Sequence, residues 1–156
     1  MLVRELMTAD PEACTPWDTL EVAGEIMRRR QCGCVPVVDA QTTKRVIGVV
    51  TDRDIAMHLL HVDLPARKIT VDACMTKDPQ TVSPSSTLEE AAQVMEALAV
   101  HRLPVVEDGR LVGVLSLKDI ALAAKRQWAS SGPHVAERQM TEILEAIAAA
   151  RVAPKA

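Results

Sequence analysis

Apolar residues between positions 88 and 98 fall at Leu88, Ala91, Ala92, Met95 and Leu98, the spacing that lines one face of a helix. Ser86, followed three residues later by Glu89, reads as a capping box at the start of that helix. The pattern then changes to β-branched runs at 103–106 and 110–115, joined by Asp108-Gly109, a two-residue hairpin signal. Ser116 stands at an N-cap position before a second helical stretch, 117 to about 126, where Ile120, Ala121 and Ala124 are spaced helically. An earlier part of the chain has the same order of elements: a helix over 20–30, strands over 34–38 and 45–50, and a helix over 52–60, with a longer hairpin loop at 40–44. Pro36 and Pro104 lie inside strand runs and offer no N–H to a ladder, which predicts edge strands or strand starts.

These two blocks are copies of one another. At a shift of 68 residues, Met7-Thr8 meets Met75-Thr76, Asp10-Pro11 meets Asp78-Pro79, Thr19-Leu20-Glu21 meets Thr87-Leu88-Glu89 and Pro36-Val37-Val38 meets Pro104-Val105-Val106. Past the hairpin loop, three residues longer in the first copy, the shift becomes 65, so that Gly48-Val49 meets Gly113-Val114 and Asp54-Ile55-Ala56 meets Asp119-Ile120-Ala121. A gap confined to a loop is how duplicated units diverge. Each copy reads as strand, helix, strand, strand, helix, which makes the fold class α/β in the α+β sense. A unit of roughly 50 residues buries too little surface to stand alone, so the copies are expected to pack through their small sheets as a pseudo-dimer. The expected segmentation is 1–62 for the first domain, 63–124 for the second and 125–156 for a helical tail. In that tail Met140, Ile143, Leu144 and Ile147 form an apolar stripe that needs a surface to cover it, on its own module or on a partner.

Composition narrows the function. With 48% hydrophobic and 25% charged residues in 156, the chain has a globular balance. A net charge of −3, no Phe or Tyr and only two Trp leave neither a positive field nor stacking platforms for nucleic acid. The start lacks a signal-peptide pattern and no stretch approaches the roughly 20 apolar residues of a membrane span, so no membrane partner and a cytoplasmic location are expected. Cys14, Cys32, Cys34 and Cys74 are then reduced thiols. No G-x-S-x-G elbow, P-loop, H-E-x-x-H or dinucleotide fingerprint occurs, which argues against an enzyme.

The twice-repeated series Met-Thr, Asp-Pro, Thr-Leu-Glu, Pro-Val-Val and then Gly-Val-Val-Thr-Asp-Arg-Asp or Gly-Val-Leu-Ser-Leu-Lys-Asp resembles the tandem cystathionine-β-synthase (CBS) domain pair, or Bateman module, over about residues 1–124. The resemblance implies a stand-alone regulatory module of two β-α-β-β-α units that binds an adenosine-containing ligand in the cleft between the two repeats. AMP, ADP or ATP is the expected ligand, with S-adenosylmethionine and NAD as further candidates, and no cofactor is required. It further implies a homodimer that signals to an unidentified protein target in trans, and it implies no cystathionine β-synthase activity.

Thr51-x-x-Asp54 and Ser116-x-x-Asp119 stand at strand-to-helix turns and admit two readings. A hydroxyl at N-cap with a carboxylate at N3 is sufficient as a helix cap. The same turn offers free N–H groups to a phosphate, while the acceptor-only carboxylate can take ribose hydroxyl protons, the role the resemblance gives Asp54 and Asp119. Thr51 and Ser116, with the nearby cations Arg53 and Lys118, then face phosphate. His101-Arg102, just before Leu-Pro-Val-Val, matches a phosphate-lining pair of nucleotide-sensing relatives and can reach the ligand of either repeat, or else is a solvated strand start; the first copy has Gly33-Cys34 there, so the two sites are expected to differ. The base is expected near Thr15-Pro16 and Ser83-Pro84, with walls from Val35, Val37, Leu103 and Val105. Gly48 and Gly113 mark a close approach of backbone or ligand. Two other functions compete: a structural dimeric adaptor with empty clefts, and thiol or metal sensing through Cys32 and Cys34, a C-x-C spacing that is weak for zinc. His58 and His61 share a helix side without a third ligand nearby.

Overall fold

The computed structural model describes residues 1–123 together with Thr141 and Glu145, so the apolar stripe expected at 140–147 lies outside the described residues, as does the end of the last helix. In chain order the elements are β1 (Thr8–Ala9), α1 (Leu20–Arg30), β2 (Cys34–Val38), β3 (Val46–Thr51), α2 (Asp52–Leu59), β4 (Thr76–Lys77), α3 (Leu88–Leu98), β5 (Arg102–Glu107), β6 (Arg110–Ser116) and α4, helical over 117–123. Short 3-10 turns at Val3–Glu5, Ala66–Lys68 and Val71–Ala73 shape the connections.

The chain divides into two compact units. One comprises Asp10–Pro79 and Val106–Val112 and holds the antiparallel sheet β2-β3-β4; we call it the first-repeat unit. Its register sets Cys34 opposite Thr51 and Val35 opposite Val50, with an irregularity between Val37 and Val38. Its core gathers Cys14, Leu20, Ala23, Ile26, Met27, Val35, Val37, Val50, Ile69 and Val71, so the apolar stripe of α1 and the inner face of β2 and β3 are buried together. The second-repeat unit comprises, among the described residues, Met1–Ala9, Gln80–Val105 and 113–123. Its sheet has the order β1-β6-β5, and Ala91, Ala92, Met95, Leu103, Val105, Leu115 and Ile120 are buried.

The Met-Thr strand of each repeat is built into the other repeat's sheet. β1, at the head of the first repeat, pairs with β6, and β4, at the head of the second, pairs with β3. Each compact body thus takes its third strand from the neighbouring repeat. The glycines show what this strand delivers. A Cβ at Gly48 would lie 2.8 Å from Met75 Sδ and 3.0 Å from the Thr76 carbonyl oxygen; one at Gly113 would overlap Met7 Sδ and lie 3.2 Å from the Thr8 carbonyl oxygen. Both glycines exist to admit the incoming Met-Thr segment.

Local chemistry explains the remaining boundaries. Asp108 (φ 49°) and Gly109 (φ 76°) both turn left-handed, as a two-residue hairpin demands. β2 and β5 lie at the ends of their sheets, as Pro36 and Pro104 require; their carbonyls accept from Cys14 N and Val82 N, each at 3.1 Å, which covers the edge. The cap of α3 corrects the sequence expectation by one residue: Thr87 N donates to Glu90 Oε2 at 2.8 Å and Glu90 N to Thr87 Oγ1 at 3.2 Å. Ser86 instead donates its N–H to Ser83 O in the preceding turn. The cap falls on Thr87 because it directly precedes Leu88, the first residue of the buried stripe, and Thr19 does the same for α1. No helix among the described residues is long and apolar enough to cross a membrane.

Candidate functional site

Each unit presents the same turn, where a strand delivers a hydroxyl residue directly into a helix. In the first-repeat unit Thr51, extended at the end of β3, donates its N–H (2.9 Å) and its Oγ1–H (2.7 Å) to Asp54 Oδ2, and Asp54 N donates back to Thr51 Oγ1 at 3.1 Å. In the second, Ser116 N and Oγ donate to Asp119 Oδ2 at 2.8 and 2.6 Å, and Asp119 N returns a bond to Ser116 Oγ at 3.3 Å. The cap reading is thus realised in full at both places. It also leaves something over: every bond that the two carboxylates accept here ends on Oδ2, and among the described residues neither Oδ1 receives a hydrogen bond. Both aspartates are half-buried. A carboxylate fixed through one oxygen with the other open is oriented to accept from a hydroxyl-bearing ligand.

The strand start on the other side of the turn is tied in by backbone. Leu117 N donates to His101 O at 2.9 Å, as Asp52 N donates to Gly33 O at 3.2 Å. His101-Arg102 therefore adjoins Ser116, and Gly33-Cys34 adjoins Thr51. His101 is half-buried, whereas Arg102, Lys118 and Arg53 are exposed. None of the three exposed cations pairs with a carboxylate among the described residues. The hydroxyls of Thr51 and Ser116, expected to face phosphate, are already directed to the aspartates.

The loops before α1 and α3 are close copies with one difference. Thr15 O accepts from Asp18 N and Ser83 O from Ser86 N, and the buried Pro16 and Pro84 offer their carbonyls to Asp72 N and Arg4 N. In the first loop, however, Asp18 Oδ2 takes Thr15 N at 2.6 Å and Thr15 Oγ1 at 2.9 Å, while in the second Ser83 Oγ shares a hydrogen bond with Ser85 Oγ. Asp18 escaped the sequence reading although Thr15-x-x-Asp18 has the same spacing as Thr51-x-x-Asp54. Val35, Val37, Leu103 and Val105, expected to wall a base, have at most 1% of their surface exposed and serve the core; contact with a ligand would require uncovering them.

Three cysteines gather around the first-repeat turn. Burial, with the Asp18 carboxylate beside it, pushes the Cys14 thiol up to about 12. Burial and then the Asp54 carboxylate also raise Cys74, and Cys34 sits opposite Thr51 in the ladder. No disulfide joins any of the four cysteines. Among the described residues no group of three His, Cys, Asp or Glu side chains is placed to hold a metal ion, so Cys32 with Cys34, or His58 with His61, has no completing ligand.

Comparison with known proteins agrees with this architecture. The CBS domain family matches residues 3–61 and 69–126. The uncharacterized protein YlbB of Bacillus subtilis is 31% identical over 121 residues, covering 78% of this chain and 80% of its own. Inosine-5'-monophosphate dehydrogenase of Staphylococcus epidermidis is 30% identical over 127 residues, 81% of this chain, and this chain spans only 25% of that enzyme. Among solved structures, Hypoxic Response Protein I with two coordinated zinc ions is similar at a TM-score of 0.70 and 30% identity, over 78% of this chain and 98% of that one. CBSX2 in complex with AMP, a CBS-pair protein of Arabidopsis thaliana, gives 0.66 and 28%, over 80% and 96%. The CBS domain pair of MJ0100, in complex with 5'-methylthioadenosine and S-adenosyl-L-methionine, gives 0.70 and 25%, over 79% and 98%.

Proposed function

The chain belongs to the CBS-domain family as a tandem pair, and from that premise we propose that it is a non-catalytic regulatory module that binds an adenosine-containing ligand, AMP, ADP or ATP before others, and reports it to a partner protein. The observation that carries this reading is the pair of half-buried aspartates, each held through Oδ2 in a capping box while Oδ1 receives no hydrogen bond among the described residues. In the bound state Asp54 and Asp119 accept from ribose hydroxyls, and Arg102, with His101 and Lys118 near it, meets the phosphate. Arg suits that task because its planar fork holds phosphate oxygens bidentately. The AMP complex of CBSX2 and the methylthioadenosine and S-adenosylmethionine complexes of MJ0100 support the ligand class.

The output side follows from thermodynamics. A ligand changes what a partner meets only through different affinities for two arrangements of the protein. We expect that readout in a homodimer of the module, acting in trans on a target in the cytoplasm; exposed Trp17 (79%) and Leu60 (76%) are available for such contacts. Calorimetric titration of the reduced protein with AMP, ATP, S-adenosylmethionine and NAD, with GMP as the adenine-free control, tests the reading. Saturable binding of an adenosine ligand and none of GMP is the expected result. Absence of binding at millimolar concentration would leave the adaptor function in its place.

A further inference from the structure

The two copies of the turn are alike in backbone and opposite in charge. Lys118 adjoins Ser116 and Asp119 in the chain, the Leu117 N to His101 O bond (2.9 Å) brings up His101-Arg102, and the loop before α3, tied to β5 by Val82 N to Pro104 O at 3.1 Å, carries the uncharged Ser83 and Ser86. Around Thr51 and Asp54 the corresponding positions hold Cys34 in place of Arg102, Gly33 in place of His101, Asp52 in place of Leu117 and Asp18 in place of Ser86. Arg53 is the one cation retained, at the place of Lys118. The second-repeat turn thus has two fixed cations and one carboxylate, and the first-repeat turn three carboxylates and one cation. The loop that carries Asp18 is tied to β2, where Cys14 N donates to Pro36 O at 3.1 Å, and β2 sets Cys34 opposite Thr51.

Phosphate and carboxylate repel at short range, and the strand-start position that carries Arg102 in the second-repeat unit holds a cysteine, Cys34, in the first-repeat unit. Resting on the adenosine reading above, we infer that the two sites are sorted by charge: the second-repeat site takes a phosphorylated adenosine ligand, and the first-repeat site takes an adenosine whose 5' substituent is uncharged or cationic, a thioether or a sulfonium. The ribose contact through an aspartate is common to both. Selection rests on Arg102 against Cys34 and on Ser86 against Asp18.

The test is calorimetric titration of the full chain with AMP and with 5'-methylthioadenosine, each alone and each into protein saturated with the other. The expected result is independent binding, with each affinity changed less than twofold by the other ligand. Arg102→Ala, at an exposed position, should weaken AMP at least tenfold and leave methylthioadenosine within twofold, while Asp54→Asn, which keeps an acceptor for the cap, should do the reverse. Thermal melts of both variants confirm that they are folded. Mutual displacement of the two ligands, or variants that weaken both ligands equally or neither, would overturn the sorting while leaving adenosine binding intact. Failure of the wild-type protein to bind either ligand would instead remove the adenosine reading, and the sorting with it.

Discussion

Asp119 closes the capping box of α4 through Oδ2 and, in the proposed function, offers Oδ1 to a ribose; two substitutions separate these duties. Asp119→Ala removes both bonds that end on Oδ2, at 2.8 and 2.6 Å, and leaves the Ser116 N–H without its acceptor. Loss of a cap of this kind costs about 1–2 kcal/mol, which in a chain of this size lowers the melting temperature by about 2–8 °C. Asp119→Asn retains a carbonyl oxygen that can accept from Ser116, so its stability should fall by less than about 1 kcal/mol. The other half of the amide is an N–H donor, however, and cannot accept a hydroxyl proton. Hydrogen bonds to a charged acceptor contribute about 1.5–3 kcal/mol, so the Asn variant should bind AMP about 10- to 150-fold more weakly than wild type. Melting followed by circular dichroism and titration calorimetry read the two quantities on the same samples. An Asn variant that melts with wild type and binds AMP as tightly would refute the ribose assignment and leave Asp119 as a cap alone.

Gly113→Ala should destabilise the protein by about 1–3 kcal/mol, because the new methyl meets Met7 Sδ and, at 3.2 Å, the Thr8 carbonyl oxygen; a chemical melt indistinguishable from wild type would show that β1 has room to retreat. Ala99→Gly has the opposite sign: Ala99 ends α3 at φ 52°, and relieving that left-handed strain should raise stability by about 1 kcal/mol in the same assay, with no gain refuting it. The Cys14 thiol, raised from 9.0 to about 12, has a folded pKa above its unfolded one, so its contribution to stability is whole below about pH 9 and is lost at up to about 1.4 kcal/mol per pH unit above it. Urea melts of wild type and Cys14→Ala at pH 8 and pH 10.5 should show a steeper loss in wild type, and parallel losses would contradict the cause.

What was legible in the sequence was what local chemistry dictates. The helical stripe over 88–98, the Asp108-Gly109 turn and the edge positions of Pro36 and Pro104 all follow from spacing or from a missing N–H, and all are found. The strand exchange was not legible, because β1 and β4 are two exposed residues each and have no alternating pattern to announce a partner. Nor could the neighbours of Gly48 and Gly113 be known, since Met75 and Met7 arrive from distant parts of the chain. The α3 cap slipped by one because Ser86 and Thr87 are both competent caps, each with a Glu three residues on; only the burial of the stripe beginning at Leu88 decides between them. The capping boxes of Thr51 with Asp54 and of Ser116 with Asp119 were legible from their spacing, while Asp18 was passed over because the turn it closes stands just ahead of Thr19, which caps α1 in its place.

The same distinction bears on how a duplicated module can come to serve two ligands. Thr51, Asp54, Ser116 and Asp119 close the caps of α2 and α4, so folding constrains them whether or not anything binds. Arg102 and its counterpart Cys34 have no such duty in common: one is an exposed guanidinium, the other a half-buried cysteine, and the backbone bond that ties each strand start to its helix comes from the residue before. Chemistry at those positions can change without disturbing the caps. Substitution at 102 should therefore alter ligand preference with a stability change within about 0.5 kcal/mol, as for an exposed side chain, whereas loss of Asp54 or Asp119 alters both. A functional difference between the copies is accordingly to be sought where the repeat is least faithful, at positions 18, 33, 34, 52, 86, 101, 102 and 117, and not in the motifs by which the repeat is recognised.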